Sequence, residues 1–129
     1  MRVSIAFAFA ASGLAAAPAA AQELAVSVEI PRLRVAEYHR PYVAIWIEDE
    51  AGKAVRTLNV WYDGDLSPEG SRPLANLPAG NYKLRVEAAR EVGGRELVTL
   101  PFQWPPRAAT SASAEGKSEL GTVRLTTRR

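Results

Sequence analysis

The 129-residue sequence contains no cysteine, one histidine and one methionine. The lack of cysteine excludes disulfides, thiol nucleophiles, iron–sulfur ligation and cysteine-based zinc sites. A single histidine gives little support to a Ser-His-Asp arrangement or to a histidine-rich metal site. The chain is also too short for a catalytic barrel or a doubly wound nucleotide fold. We therefore expect one small domain that is not an enzyme.

An excess of charge of one sign is also missing. The chain has 16 lysine and arginine side chains against 14 aspartate and glutamate side chains, and the two signs are interleaved. A protein that binds nucleic acid usually carries a basic stripe or patch for the phosphate backbone. The sequence therefore predicts no nucleic-acid partner.

The N-terminal segment has the three-part pattern of a secretory signal peptide. Arg2 gives a positive start, residues 3–17 form an apolar run, and Ala19 and Ala21 are small residues before a cut after Ala21. The run is shorter than the span of about 20 apolar residues that crosses a membrane. We predict a signal peptide over residues 1–21, a mature periplasmic domain over 22–129, and no integral membrane segment after cleavage.

The mature chain is predicted to consist of strands and turns. Apolar residues alternate with polar ones over 24–30, and residues 42–47 are rich in β-branched and aromatic side chains. Further strand signals, separated by Gly and Pro turns, fall at 55–62, 82–86, 97–102, 110–114 and 120–125. This pattern predicts an all-β fold, an immunoglobulin-like β-sandwich of six or seven antiparallel strands. We expect residues 63–78 to form a loop.

Several blocks of the sequence resemble a known family. Residues 30–33 and 35–49, with 61–63, 102–106 and 119–125, are similar to the predicted periplasmic proteins called domain of unknown function 2271. Family members have a segment tens of residues longer after their Trp-Tyr-Asp, whereas here a short loop leads directly to the turn at 78–81. The resemblance implies a place beside flavin-transfer and membrane redox components. The motif that accepts a covalent flavin is absent from this sequence, so we expect no cofactor.

The candidate binding residues lie in the loop before strand 42–47 and on that strand. Alternation places Tyr42 and Trp46 on one side of the strand, opposite Val43, Ile45 and Ile47. If the aliphatic side faces the core, the aromatic side forms a surface patch. The full set is Glu37, Tyr38, His39, Arg40, Tyr42, Trp46 and Trp61.

Metal binding has weak candidates in His39, Asp63 and Asp65. A lone histidine needs further ligands, and Leu66 and Pro68 occupy positions where a calcium loop would need oxygen ligands. We therefore predict no metal site, with a loop histidine and a solvated turn as the simpler interpretation.

Three functions remain open from the sequence. The leading one is an exported accessory or binding module for an envelope protein, associated through the resemblance with a membrane-linked redox or metal-uptake system. The second is a periplasmic redox protein that binds flavin or a metal ion. The third is a shortened family member with a structural role only.

Overall fold

The computed structural model describes residues 2–9, 22–62, 65–67, 74 and 76–129. This part of the chain contains nine β-strands and no helix. In chain order the strands are β1 (Arg2–Phe9), β2 (Gln22–Glu29), β3 (Tyr42–Glu48), β4 (Ala54–Tyr62), β5 (Asp65–Ser67), β6 (Gly80–Ala89), β7 (Arg95–Trp104), β8 (Thr110–Glu115) and β9 (Thr122–Arg128).

The strands form two antiparallel sheets that share one hydrophobic core. The four-stranded sheet has the order β1-β2-β9-β8, and the five-stranded sheet has the order β5-β4-β3-β6-β7. Along β2, β3 and β6 every second side chain enters a single buried cluster, as the alternating pattern requires. The largest fully buried side chains are Leu24, Ile47, Leu58, Leu84, Leu120, Val26, Val43, Val86, Val123 and Thr127. The predicted all-β sandwich is confirmed.

The β3–β4 hairpin shows how local sequence sets the register. The Asp49 carboxylate accepts hydrogen bonds from the backbone N–H groups of Ala51 and Lys53, at 3.0 and 2.9 Å. Gly52 has a positive φ of 80°, which glycine adopts at little cost. A register shift between Ile45 and Trp46 follows. The extra residue lies on β4, where Leu58 has no partner on β3, and β3 itself keeps a strict alternation of buried and outward side chains.

The expected loop at 63–78 contains a short strand. Residues 65–67 form β5 and pair with the end of β4. The described part of residues 22–129 therefore contains eight strands where the sequence predicted six or seven. A three-residue strand is too short to give a periodic signal, which is why the pattern missed it.

The narrower prediction of an immunoglobulin-like connectivity is not confirmed. The two sheets have the spatial strand orders of a variable-type immunoglobulin domain. However, the β8–β9 hairpin, which sits beside β2, follows β6 and β7 in the chain, whereas the corresponding immunoglobulin strands precede theirs.

The N-terminal strand lies within the predicted signal peptide. Residues 2–9 pair with β2 along its whole length and form the edge of the four-stranded sheet. The proposed cut after Ala21 lies outside the described residues and stays a prediction. The described residues include no helix with the length and apolar character needed to cross a membrane.

Candidate functional site

Strand β3 divides its side chains between the core and the outer surface. Val43, Ile45 and Ile47 are at most 3% exposed, whereas Tyr42 is 39% exposed and Trp46 is half-buried. The aliphatic side therefore faces the core, and Tyr42 and Trp46 lie on the outer face of the five-stranded sheet. This is the arrangement that the alternation favoured.

Strand register brings other side chains beside these two aromatics. One row across the sheet contains Val60, Ala44, Glu87 and Leu97, and the next contains Thr57, Trp46, Arg85 and Thr99. Val60 and Leu97 are among the exposed large hydrophobic residues, as is Tyr42. We call this surface the aromatic face. It comprises Tyr42, Ala44, Trp46, Glu48, Thr57, Val60, Arg85, Glu87, Leu97 and Thr99.

A chain of polar contacts holds Trp46 in place. Its indole Nε1 donates a hydrogen bond to Oε1 of Glu48 at 3.0 Å. The same carboxylate oxygen lies 3.6 Å from Nε of Arg85, and Nη1 of Arg85 donates to Oγ1 of Thr99 at 2.8 Å. Glu48 and Arg85 are only 15% and 27% exposed, so their charges are partly shielded from water. These contacts restrain the indole ring of Trp46 and the guanidinium of Arg85.

The residue that lies between the two aromatics on this face of β3 is small. Tyr42 and Trp46 are separated along β3 by about 13 Å of strand, and the small side chain of Ala44 lies between them. Glu87 is opposite Ala44 on β6 and accepts a hydrogen bond from Arg95 at 2.7 Å. The outer face therefore carries little side-chain bulk at Ala44, and charged side chains lie beside it on β6.

The predicted loop residues form a separate group at one end of the sandwich. Residues 31–41 connect β2 in one sheet to β3 in the other. Nε2 of His39 lies 3.1 Å from Oε1 of Glu37, whose side chain is 75% exposed, and Arg40 is exposed. Trp46 makes its polar contact with Glu48, which lies further from the loop. The structure thus divides the predicted surface into the aromatic face and the loop.

An ion pair beside this loop was missed by the sequence analysis. Arg90 follows β6, and its Nε and Nη2 donate to the Glu119 carboxylate at 2.5 and 2.9 Å. The two side chains are 8% and 3% exposed. These hydrogen bonds raise the pKa of Arg90 above its ordinary value, against the opposing effect of burial, with a smaller contribution from Tyr38. The pair joins the two sheets, and its separation of 29 residues leaves no local signal.

Glu96 is a second missed residue at the same end. Its carboxylate accepts hydrogen bonds from the backbone N–H groups of Lys117, Ser118, Glu119 and Leu120, at 2.6 to 3.2 Å. Burial raises the pKa of Glu96, but the four donors outweigh it and leave the pKa below its ordinary value. These hydrogen bonds connect the β8–β9 loop to β7 of the five-stranded sheet.

The remaining predicted residues are described only in part. The backbone of Trp61 pairs with Val43, and that of Asp65 pairs with Tyr62. Asp63 lies outside the described residues. Within the described ranges, no group of three His, Asp or Glu side chains is placed to hold a metal ion.

Sequence comparison identifies a family over most of the chain. The profile of domain of unknown function 2271, described as a predicted periplasmic protein, matches residues 23–70 and 66–122. The chain belongs to this family. The two matched segments overlap at residues 66–70, between β4 and β6. No curated protein and no solved structure matches the chain.

Proposed function

We propose that this member of a periplasmic family is a non-enzymatic binding module, and that its aromatic face binds a polypeptide of the cell envelope. The observation that carries the proposal is the composition of that face. Of the exposed large hydrophobic residues in the described part of the chain, Tyr42, Val60 and Leu97 lie on the aromatic face beside Trp46. A clustered apolar surface rimmed by charges is typical of a protein-binding site.

The chemistry of the partner follows from this surface. Tryptophan, tyrosine and arginine are the residues that dominate protein interfaces, and Trp46, Tyr42 and Arg85 provide one of each. Ala44 leaves room for an aliphatic side chain of the partner. Arg85 and Glu87 offer opposite charges on neighbouring rows. We expect an extended segment with an apolar residue flanked by charged ones.

The fixed position of Trp46 supports binding in a second way. Association costs free energy when flexible side chains become ordered, about 0.5–1.5 kcal/mol for each one. The contacts of Glu48 with Trp46 and Arg85 order these side chains in the free protein. A partner therefore meets a surface that needs little rearrangement.

The partner to test first is a membrane-linked redox or metal-uptake component. The family resemblance of the sequence implies such a neighbour. In this proposal the module recognises a polypeptide of that system and carries no flavin or metal ion itself.

Affinity capture from the native periplasm and solubilised membranes tests the proposal. The mature protein is used as bait in three forms: wild type, Trp46→Ala, and Arg124→Ala as a matched control on the opposite sheet. We expect one polypeptide to be enriched by wild type and by Arg124→Ala, and to be lost with Trp46→Ala. Equal capture by all three forms would reject the aromatic face as the binding surface. Stoichiometric flavin or metal in the native protein would favour the redox alternative.

A further inference from the structure

The edge of the four-stranded sheet is closed by a strand that the mature protein is predicted to lose. All eight residues of β1 pair with β2, from Arg2 opposite Glu29 to Phe9 opposite Gln22. Val3 and Ile5 pack against the core beside Val28 and Val26. At the end of the pairing, Nη2 of Arg2 lies 3.3 Å from Oε2 of Glu29.

Cleavage after Ala21 removes this strand completely. The mature chain would begin at Gln22, the first residue of β2. The backbone N–H and C=O groups that β2 presents to β1 would lose their partners. The core side chains Val26 and Val28 would no longer have Ile5 and Val3 packed beside them. The mature domain would thus have an open, apolar sheet edge.

The other sheet edges have features that discourage strand addition. β7 contains Pro101 and begins with the charged Arg95 and Glu96. β5 has three residues, and β8 has six. β2, in contrast, has eight residues with neither proline nor lysine. Proline, lysine and short length are the usual means of blocking an edge, so β2 is the edge best suited to accept a strand.

We propose that, in the mature protein, the edge of β2 accepts an extended strand from another envelope protein. β1 shows the chemistry that fits this edge. Among the β1 side chains that the structure describes, Val3 and Ile5 face the core, the small Ser4 is exposed, and the basic Arg2 pairs with Glu29. Binding by strand addition combines backbone hydrogen bonds with side-chain pockets at alternate positions. The inference rests on the predicted cleavage and is independent of the aromatic face.

A second copy of the chain fits this edge less well. Two antiparallel pairings of β2 with its copy span seven residues and keep Leu24, Val26 and Val28 on the core side. One sets Glu23 opposite Glu29 at both ends, and the other sets the polar Gln22 opposite Val28 on the core side. Like charges directly opposite each other destabilise a strand pair. A second copy also offers no cation for Glu29, which β1 supplies through Arg2.

The proposal is tested by disulfide formation between a peptide and the protein. Because the chain contains no cysteine, only the introduced cysteines can react. The probe is a synthetic peptide of residues 2–9 with a polar tail, carrying Ser4→Cys, and the protein is chain 22–129 carrying Ser27→Cys. Ser4 and Ser27 are opposite each other, whereas Ala8 pairs with Glu23. We expect the Ser4→Cys peptide to form the disulfide at least about tenfold faster than a control peptide with Ala8→Cys. Equal rates would overturn the proposal.

Three further measurements decide the remaining outcomes. The intact mass of the periplasmic protein must correspond to residues 22–129, and a chain that retains residues 1–21 would overturn the proposal. In gel filtration, chain 22–129 must elute as a monomer. A dimer that the peptide cannot dissociate would assign the edge to a second copy and would overturn the proposal. If chain 22–129 is unfolded alone, circular dichroism must show that the peptide folds it, and failure to do so would also overturn the proposal.

Discussion

The outer faces of the two sheets differ sharply in composition. Across the five-stranded sheet, one row contains Thr57, Trp46, Arg85 and Thr99. Across the four-stranded sheet, one row contains Ser4, Ser27, Arg124 and Ser113, and the next contains Ala6, Ala25, Thr126 and Ser111. The inner faces of both sheets are mostly aliphatic and form the same core. The two sheets therefore differ in their outward positions, and our proposed function rests on that difference.

At one end of the sandwich, polar contacts join the two sheets. These contacts belong to neither outer face. Arg90 and Glu119 link β6 to the β8–β9 connection, and Glu96 binds the backbone of the same connection. The aromatic face depends on this joint only through the stability of the sandwich. Substitutions can therefore separate loss of fold from loss of binding.

The largest expected effect is the loss of the buried ion pair. Glu119→Ala leaves the Arg90 guanidinium buried without its partner, which is strongly destabilising. We expect the largest fall in Tm of all variants described here. The matched control, Glu87→Ala, removes the contact with Arg95, whose side chain is 70% exposed, and should change the free energy of unfolding by about 0.5 kcal/mol or less. Thermal melts followed by circular dichroism compare them. Similar losses in both would show that the pair does not join the sheets.

Neighbouring residues on β3 should separate stability from binding. Ile47 is fully buried, so Ile47→Ala should lower the free energy of unfolding by about 2–5 kcal/mol. Trp46→Ala removes a half-buried ring and should cost less, about 1–2 kcal/mol, while abolishing binding to the envelope partner. Urea unfolding and affinity capture of each variant test this. A Trp46→Ala variant that binds normally contradicts the account.

Glu96 should make the joint between the sheets sensitive to acid. The pKa of Glu96 in the folded state lies below its ordinary value of 4.5. The carboxylate therefore stabilises the fold fully above that value, and this contribution is lost as the pH falls through the folded-state pKa. Glu96→Gln should lower the Tm at pH 7, and its difference from wild type should shrink below about pH 4.5. Melting curves between pH 3 and 7 measure it. A difference that is constant with pH would contradict this role.

The smallest effects are expected on the outer face of the four-stranded sheet. Arg124 and Ser113 are exposed and opposite each other. Arg124→Ala and Ser113→Ala should each change the free energy of unfolding by about 0.5 kcal/mol or less and leave partner binding unchanged. Urea unfolding and the capture assay provide both readouts. A loss of binding here would reverse the assignment of the two faces.

The sequence predicted those parts of the molecule that follow from the alternation of apolar and polar residues and from the residue types of the turns. Alternation in 42–47 identified which side of β3 faces the core, because neighbouring side chains of a strand point to opposite faces. The turn before β4 was visible from its glycine. By the same reasoning Glu48 could have been placed on the face of Trp46, since the two are separated by two positions.

The missed features depend on contacts between residues distant in the chain. The Arg90–Glu119 pair and the donors to Glu96 form only when the two sheets come together. The pairing of β1 with β2 was missed because residues 2–9 also fit the apolar run of a signal peptide. The sequence analysis grouped the loop residues near His39 with Trp46 because they are close in the chain. In the structure, β3 places the tryptophan several residues along the strand from the loop.

Site-specific photo-crosslinking in the native periplasm tests the central claim most directly. A photoreactive residue is placed at Thr57 on the aromatic face or, as the matched position, at Ser113 on the opposite face; both side chains are exposed. We expect Thr57 to crosslink to one envelope polypeptide, Arg85→Ala to weaken that product, and Ser113 to give none. A product of equal yield at Ser113, or none at Thr57 in a folded protein, would contradict the assignment of binding to the aromatic face.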